Sequence, residues 1–243
     1  MPDLLNRSDA AAARGLKLRS LADRPTQRSC ERSGTTGRLW TPAMRAAITM
    51  DERKASDPAP TSRAFQGMAS VTGQKYEMYD WYGPYDEQVM VGAFEQTLAQ
   101  SDLDVPLVID HTSSRRIART NNASSPLELT EIVDGDLTGL QCDAPTLQLA
   151  DSDSAWAIGK LDSKLLDEMS FRFTIDDGRW SEDFMTFTIR SVNIHRGDVS
   201  IVGYGANPHT AGAGLRNAGL KHADRLQLQL SAMDDDKYAR LSL

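Results

Sequence analysis

Apolar and polar residues alternate in several short stretches of the chain, which is typical of strands that bury one face of a sheet. The clearest stretch is 169–175, whose predicted core face consists of Met169, Phe171, Phe173 and Ile175. The residues between them, among them Ser170, then share the polar face. Further predicted strands are 64–71, 105–109, 184–192 and 194–202, with a hairpin of 126–133 and 137–142 around a turn at 134–136.

Helical spacing is rarer along the chain. Residues 92–100 place Phe94 and Leu98 four apart, and residues 154–166 place apolar side chains at near-helical intervals, so both segments predict helices. The aromatic, turn-rich segment 76–85 predicts a packed loop. Because strands and helices do not alternate regularly, a doubly wound parallel sheet is disfavoured. The pattern favours a mainly β fold with helices, either an α+β sheet or a small β-barrel.

Composition divides the chain into three parts. Residues 1–62 predict a flexible basic arm, because 1–60 show little apolar periodicity and hold eleven Lys or Arg against seven Asp or Glu. A short helix at 42–50 is compatible with such an arm. Residues 63–210 contain the strand patterns and are predicted to form one domain. The Gly- and Ala-rich stretch after Pro208 predicts a linker and flexible C-terminal tail, 211–243.

Charge and residue usage narrow the possible functions. The net charge is −7, with the positive excess on the arm, so the acidic body offers no basic stripe and direct nucleic-acid binding is not expected. No apolar run reaches the ~18 residues of a membrane helix, and no apolar signal segment is present, so neither membrane association nor secretion is expected. The two cysteines, Cys30 and Cys142, fit a reducing compartment. No metal- or phosphate-binding motif occurs, so no cofactor and no metal are expected.

Three polar residues in separate predicted strands are candidates for nucleophilic catalysis. Ser170 lies on the polar face of its strand. His111 ends the apolar run VPLVID, and histidine ordinarily titrates near pH ~6.5, which suits a general base. Asp198, between Gly197 and Val199, could fix the tautomer of such a histidine. Each also has a structural alternative: Ser170 as a solvated strand residue or local turn former, His111 as an exposed loop histidine before a polar loop at 112–114, and Asp198 in an ordinary salt bridge with Arg196 or another arginine.

Four segments together resemble the prohead proteases of tailed phages. They are YEMYDWYGPYDEQVMVGAFEQTLA (76–99), VPLVIDHTSSRRIART (105–120), LLDEMSFRFTI (165–175) and HRGDVSIVGYGANPHT (195–210). Their order and spacing match from about residue 65 to residue 210, about 60% of the chain. The resemblance implies a fold similar to that of herpesvirus assembly proteases, a small β-barrel flanked by helices. It also implies His111 as the general base and Ser170 as the nucleophile.

The resemblance assigns the third catalytic position to Asp198. The family commonly has Glu there, so the side chain in this sequence is one methylene shorter. Herpesvirus relatives use a second histidine in that role, which makes His195 the competing candidate. In a regular strand His195 and Asp198 point to opposite faces, so only one of them can approach His111. Asp198 is preferred because it occupies the family position.

The function implied by the resemblance is that of a serine endopeptidase acting through an acyl-enzyme. Its substrates would be scaffold or major capsid protein, with self-cleavage left open, inside the immature capsid in the bacterial host cytoplasm. The expected partners are those two phage proteins, and self-association as a dimer is also left open. The alternative is a non-catalytic scaffold or interaction module with the same barrel. It is disfavoured because the chain lacks the ~3–4 sustained heptads of a coiled-coil scaffold.

Overall fold

The computed structural model describes residues 20–25, 60–80, 83–135, 137–205 and 214–216. These residues contain ten strands and two helices. In chain order they are β1 (Ser62–Val71), β2 (Lys75–Asp80), β3 (Gly83–Val89), α1 (Glu95–Leu98), β4 (Pro106–Ile109), β5 (Thr112–Arg119), β6 (Glu128–Ile132), β7 (Gly139–Gln148), α2 (Ser152–Asp162), β8 (Glu168–Trp180), β9 (Thr186–Val202) and β10 (Gly214–Arg216).

The long strand β9 organises the larger of two sheets. This sheet has six strands in the order β2-β3-β9-β4-β5, and β8 also pairs with β9. β8 runs antiparallel to β9, whereas β3 and β4 run parallel to the beginning and the end of β9. The smaller, antiparallel sheet has the order β10-β1-β7-β6. The predicted mostly β fold with few helices is confirmed, but the described strands form two open sheets and not a closed barrel.

One apolar cluster joins the two sheets and α2. It includes Phe65 and Leu147 of the smaller sheet, Leu107 and Ile201 of the larger sheet, and Leu161 of α2, all fully buried. Burial of this kind is the main favourable term in folding. The predicted core face of β8 is confirmed. Met169 and Ile175 are buried, and the two phenylalanines between them pack against the cluster.

The two predicted helices are present with shorter limits. α1 is a single turn within the predicted 92–100 segment, and it follows the fully buried Phe94. α2 starts after Asp151, whose carboxylate accepts the N–H of Ser154 at 2.7 Å and caps the helix. It ends at Asp162, so Leu165, included in the predicted helix, lies outside it and is exposed.

The prediction of a packed loop at 76–85 was wrong. This segment forms most of an antiparallel hairpin of β2 and β3. Tyr76 and Met78 alternate with the exposed Glu77, which is a strand pattern that the density of aromatic residues obscured. The hydroxyl groups of Tyr76 and Tyr85 both donate to the buried Glu87 carboxylate, at 2.5 and 3.3 Å. A tyrosine ring can be buried when its hydroxyl finds such a partner.

Two further local predictions were wrong. The stretches 184–192 and 194–202 are not two separate strands, because the single strand β9 spans 186–202 and continues through Asn193. Residues 112–114 are not a polar loop but the beginning of β5. Ile109 pairs directly with Thr112, so a turn of only two residues, Asp110 and His111, reverses the chain. No residues are left for a longer loop.

Two short segments outside the predicted 63–210 domain touch it. The carbonyl oxygen of Leu21 accepts the N–H of Trp180 at 2.8 Å, and the Leu21 side chain packs against the core. β10 pairs with β1. The suggested helix at 42–50 and the rest of both predicted tails lie outside the described residues. No helix in the described part of the chain is long and apolar enough to cross a membrane.

Candidate active site

His111 is held at the tip of the β4–β5 hairpin. Asp110 and His111 have φ values of 49° and 52°, so both turn residues lie in the left-handed region, as a type I′ turn requires. Asp and His enter this region more readily than most residues. The N–H of Asp110 donates to the carbonyl of Ile201 at 3.0 Å, and the N–H of His111 donates to Ser200 Oγ at 2.9 Å. The turn is therefore fixed to the end of β9.

The imidazole of His111 contacts the carboxylate of Asp198. The distance between His111 Nδ1 and Asp198 Oδ1 is 2.5 Å, and the side chains are 27% and 6% exposed. A carboxylate in this position favours the tautomer with the proton on Nδ1 and leaves Nε2 free to accept a proton. The shorter Asp, in the place of the more common Glu, still reaches the ring.

Arg172 completes the surroundings of the carboxylate. Its Nη1 lies 3.6 Å from Asp198 Oδ2, and its Nη2 donates to the carbonyl of His111 at 3.3 Å. Asp198 and Arg172 are directly opposite each other in the β8–β9 ladder. The buried carboxylate thus has a cationic neighbour on each oxygen when His111 is protonated.

Ser170 shares a sheet face with Asp198. Ser170 is paired with Ser200, and Arg172 is paired with Asp198, in the antiparallel β8–β9 ladder. Side chains of directly opposed residues lie on the same face, with Cβ atoms about 4.5–5.5 Å apart. This is also the face that the His111 turn covers, since His111 bonds to Ser200 and Asp198. Among the described residues, Ser170 Oγ makes no direct hydrogen bond to the His111 ring.

His195 does not join this group. Its Nδ1 accepts the N–H of Asp104 at 3.3 Å, and Asp104 lies two residues before β4, at the opposite end of that strand from His111. Regular alternation fails between His195 and Asp198 because Arg196 has φ 57° and the ladder jumps from the Arg172–Asp198 pair to the Thr174–Asn193 pair. β9 therefore bulges here, with residues 194–197 opposite the single residue Phe173 of β8.

Two polar side chains at the site, Arg172 and Ser200, were not among the predicted site residues. A sequence signal existed for both, because each lies two positions beyond a candidate, Ser170 and Asp198 respectively, and so shares its strand face. The two arginines that follow His111 most closely in the sequence are engaged elsewhere. Arg115 donates to Asp153 at 2.8 Å and lies over the Trp156 ring, and Arg116 donates to the Ser113 carbonyl.

Outside this site, Asp104 has a close charged partner. Arg119 Nε and Nη2 lie 2.6 and 2.5 Å from its two carboxylate oxygens, and this hydrogen-bonded guanidinium holds the pKa of the Asp104 carboxyl below its usual value. Burial raises the pKa of the Cys142 thiol, so this cysteine is not a candidate nucleophile. Within the described residues, no group of three or more His, Cys, Asp or Glu could hold a metal ion.

A histidine–carboxylate pair on the same sheet face as a strand serine is an arrangement typical of serine hydrolases. A family model described as caudovirus prohead serine protease matches residues 49–224, which is most of the chain. The chain therefore belongs to the caudovirus prohead serine proteases, enzymes of phage capsid maturation. No curated protein matches it.

Proposed function

We propose that the chain cleaves phage scaffold or capsid protein during prohead maturation, with Ser170, His111 and Asp198 as its catalytic residues. The observation that carries this proposal is the contact of His111 with Asp198 on the sheet face that also bears Ser170. Membership of a prohead protease family supports the substrate class and the interior of the immature capsid as the place of action. It also sets aside the alternative of a non-catalytic module.

In the proposed mechanism, Ser170 Oγ attacks the carbonyl carbon of the scissile peptide bond while His111 Nε2 accepts the hydroxyl proton. The imidazolium formed in this step is stabilised by Asp198, which does not itself need to be protonated. His111 then gives the proton to the leaving amine. His111 next deprotonates a water molecule that attacks the ester carbonyl; the ester C–O bond then breaks, and Ser170 Oγ takes the proton back from His111.

The experiment is co-expression of the full chain with its scaffold and capsid proteins, followed by mass mapping of the products. Ser170→Ala should abolish processing and leave the free energy of unfolding within about 1 kcal/mol of wild type, because the side chain is small and only partly buried. Ser101→Ala, at an exposed turn, is the matched control and should process normally. Cleavage at an unchanged rate by folded Ser170→Ala would refute the assignment.

We further propose that the two sheets correspond to the small β-barrel of herpesvirus assembly proteases. In support, β1 of the smaller sheet packs against β8 of the larger one, and both sheets share one core. An experimental structure of the full chain tests this proposal by whether strand pairing is continuous around the core.

The protease domain is proposed to be 63–210, with 1–62 as an arm and 211–243 as a tail that tether the enzyme to scaffold or shell. The contacts of Leu21 and β10 are then local attachments of the arm and tail to the domain. Limited proteolysis with mass mapping should cut first within 26–59 and beyond 217. Initial cuts inside 63–210 would contradict this division.

A further inference from the structure

We propose that Arg172 is a positioning residue for the reaction, holding the His111 turn and the Asp198 carboxylate in one fixed arrangement. This inference rests on the proposed function, since it assigns Arg172 a role through His111 and Asp198. Arg172 does not act on the substrate in this proposal.

The geometry of the guanidinium is the first argument. Nη2 donates to the main-chain carbonyl of His111 at 3.3 Å, and Nη1 lies 3.6 Å from the Asp198 carboxylate. The other carboxylate oxygen contacts the His111 ring at 2.5 Å. These contacts form a closed cycle, which runs from Arg172 to the His111 backbone, through the His111 imidazole to Asp198, and back to Arg172. A planar, forked cation suits such a double contact better than an ammonium group does.

The burial of Asp198 is the second argument. Exposed ion pairs usually contribute little, and Arg172 is itself 59% exposed. Its partner is different, because the Asp198 side chain is only 6% exposed and a buried carboxylate needs partners on both oxygens. The pair Arg190–Asp177 shows the contrast. It is closer, at 3.0 Å, but both side chains are about half exposed.

The third argument is that His111 has an uncommon backbone conformation. A residue with positive φ persists when surrounding contacts fix it. Ser200 Oγ holds the His111 N–H from β9, and Arg172 holds the His111 carbonyl from β8. Arg172 therefore holds the His111 backbone on its C-terminal side. Loss of the Arg172 side chain should let the imidazole move relative to Ser170.

The test uses the full chain and a fluorophosphonate probe, which reports on the nucleophile without a known substrate. Ser170 Oγ forms a bond to phosphorus, the P–F bond breaks, fluoride leaves and the hydroxyl proton passes to the base. The rate of labelling is measured from pH 5 to pH 9 for wild type, Arg172→Met, Arg172→Lys and the control Arg190→Met. Ser170→Ala establishes that labelling occurs at Ser170.

Arg172→Met should label about 10- to 100-fold more slowly than wild type, as expected for loss of hydrogen bonds to a charged group. In the described part of the chain, the charged side chains in contact with the His111 ring or its backbone carbonyl are Asp198 from β9 and Arg172 from β8, and Asp110 is the other residue of the turn. Loss of the Arg172 cation removes a charge that disfavours protonation of the neighbouring ring, so the acidic limb of the pH–rate profile should move to higher pH. A purely structural role would not move it.

Arg172→Lys should keep this acidic limb near its wild-type position, because the charge remains, and should recover only part of the rate. Arg190→Met should match wild type in both measurements. Labelling of Arg172→Met within twofold of wild type with the same pH profile would overturn the proposal. If Arg172→Met does not fold, the labelling rate of Arg172→Lys tests the proposal. Labelling of Arg172→Lys at the full wild-type rate would then contradict the role of the forked contact. Absence of Ser170 labelling in wild type would instead contradict the proposed function.

Discussion

His111 Nδ1 lies 2.5 Å from Asp198 Oδ1, although the two residues are 87 positions apart in the chain. The pairing of β4 with β9 explains this proximity. Leu107 and Ile109 pair in parallel with Val199 and Ile201, so the turn after β4 emerges beside the end of β9 and folds back over it. The sheet register, more than any local sequence, sets this contact.

Replacing Asp198 by Asn should separate the roles of Asp198 and His195. Asn keeps the shape but removes the charge that stabilises the imidazolium and fixes its tautomer, so processing should slow by about 10²–10⁴-fold with the fold intact. His195→Ala removes only the acceptor of the Asp104 N–H and should be mild. Rates of scaffold processing for both variants, side by side, measure this. A severe His195→Ala beside a mild Asp198→Asn would reverse the assignment.

Ser200→Ala should affect both stability and activity. The variant leaves the His111 N–H without the acceptor that holds the turn, at a cost of about 1–3 kcal/mol in the free energy of unfolding, and processing should slow. Ser70→Ala is the matched control, because Ser70 is as deeply buried and its Oγ has no hydrogen-bond partner in the described structure. That variant should be neutral or stabilising. Equal unfolding free energies for the two variants would contradict the role given to Ser200.

The Asp104–Arg119 pair predicts how stability changes with pH. Because Arg119 lowers the pKa of Asp104 in the folded state, the pair stabilises the fold at pH values above the unfolded-state pKa, about 3.9. This contribution is lost as the pH falls through the lower folded-state pKa. Arg119→Met should therefore be less stable than wild type at pH 6, and the difference should narrow below about pH 4. Urea denaturation at both pH values measures it, with Arg190→Met as the control for loss of a charge. A constant difference across pH would exclude this linkage.

Features of the fold and the site could be predicted from the sequence where they depend on neighbouring residues in the chain. The core face of β8 and the end of a buried strand at His111 follow from periodicity within a few residues. The β2–β3 hairpin was missed because Gly83 and Pro84 are typical turn residues, although both belong to β3.

The contacts around Asp198 depend on long-range pairing and could not be predicted in the same way. Two-residue alternation places Asp198 and Ser200 on one strand face, as in the structure, but it does not predict the bulge that Arg196 introduces with its positive φ. The contact of Arg172 with Asp198 requires the β8–β9 register, which no local pattern contains. Gly197 was the available signal, since an isolated glycine in a strand often marks a bulge or a close backbone approach.

Gly197 itself gives the last prediction. A Cβ atom at this position would lie 1.9 Å from the carbonyl oxygen of Arg172, so β8 and β9 would have to separate where Arg172 faces Asp198. Gly197→Ala should destabilise the fold by about 1–3 kcal/mol, as overpacking does, and should slow processing by displacing Asp198 from His111. Gly159→Ala is the matched control, because its Cβ would meet nothing within 4 Å on helix α2. That substitution should stabilise by about 0.5–1 kcal/mol and leave the rate unchanged. Thermal unfolding and processing assays on both variants measure the contrast, and a Gly197→Ala protein as stable and active as wild type would show that the strands do not approach this closely.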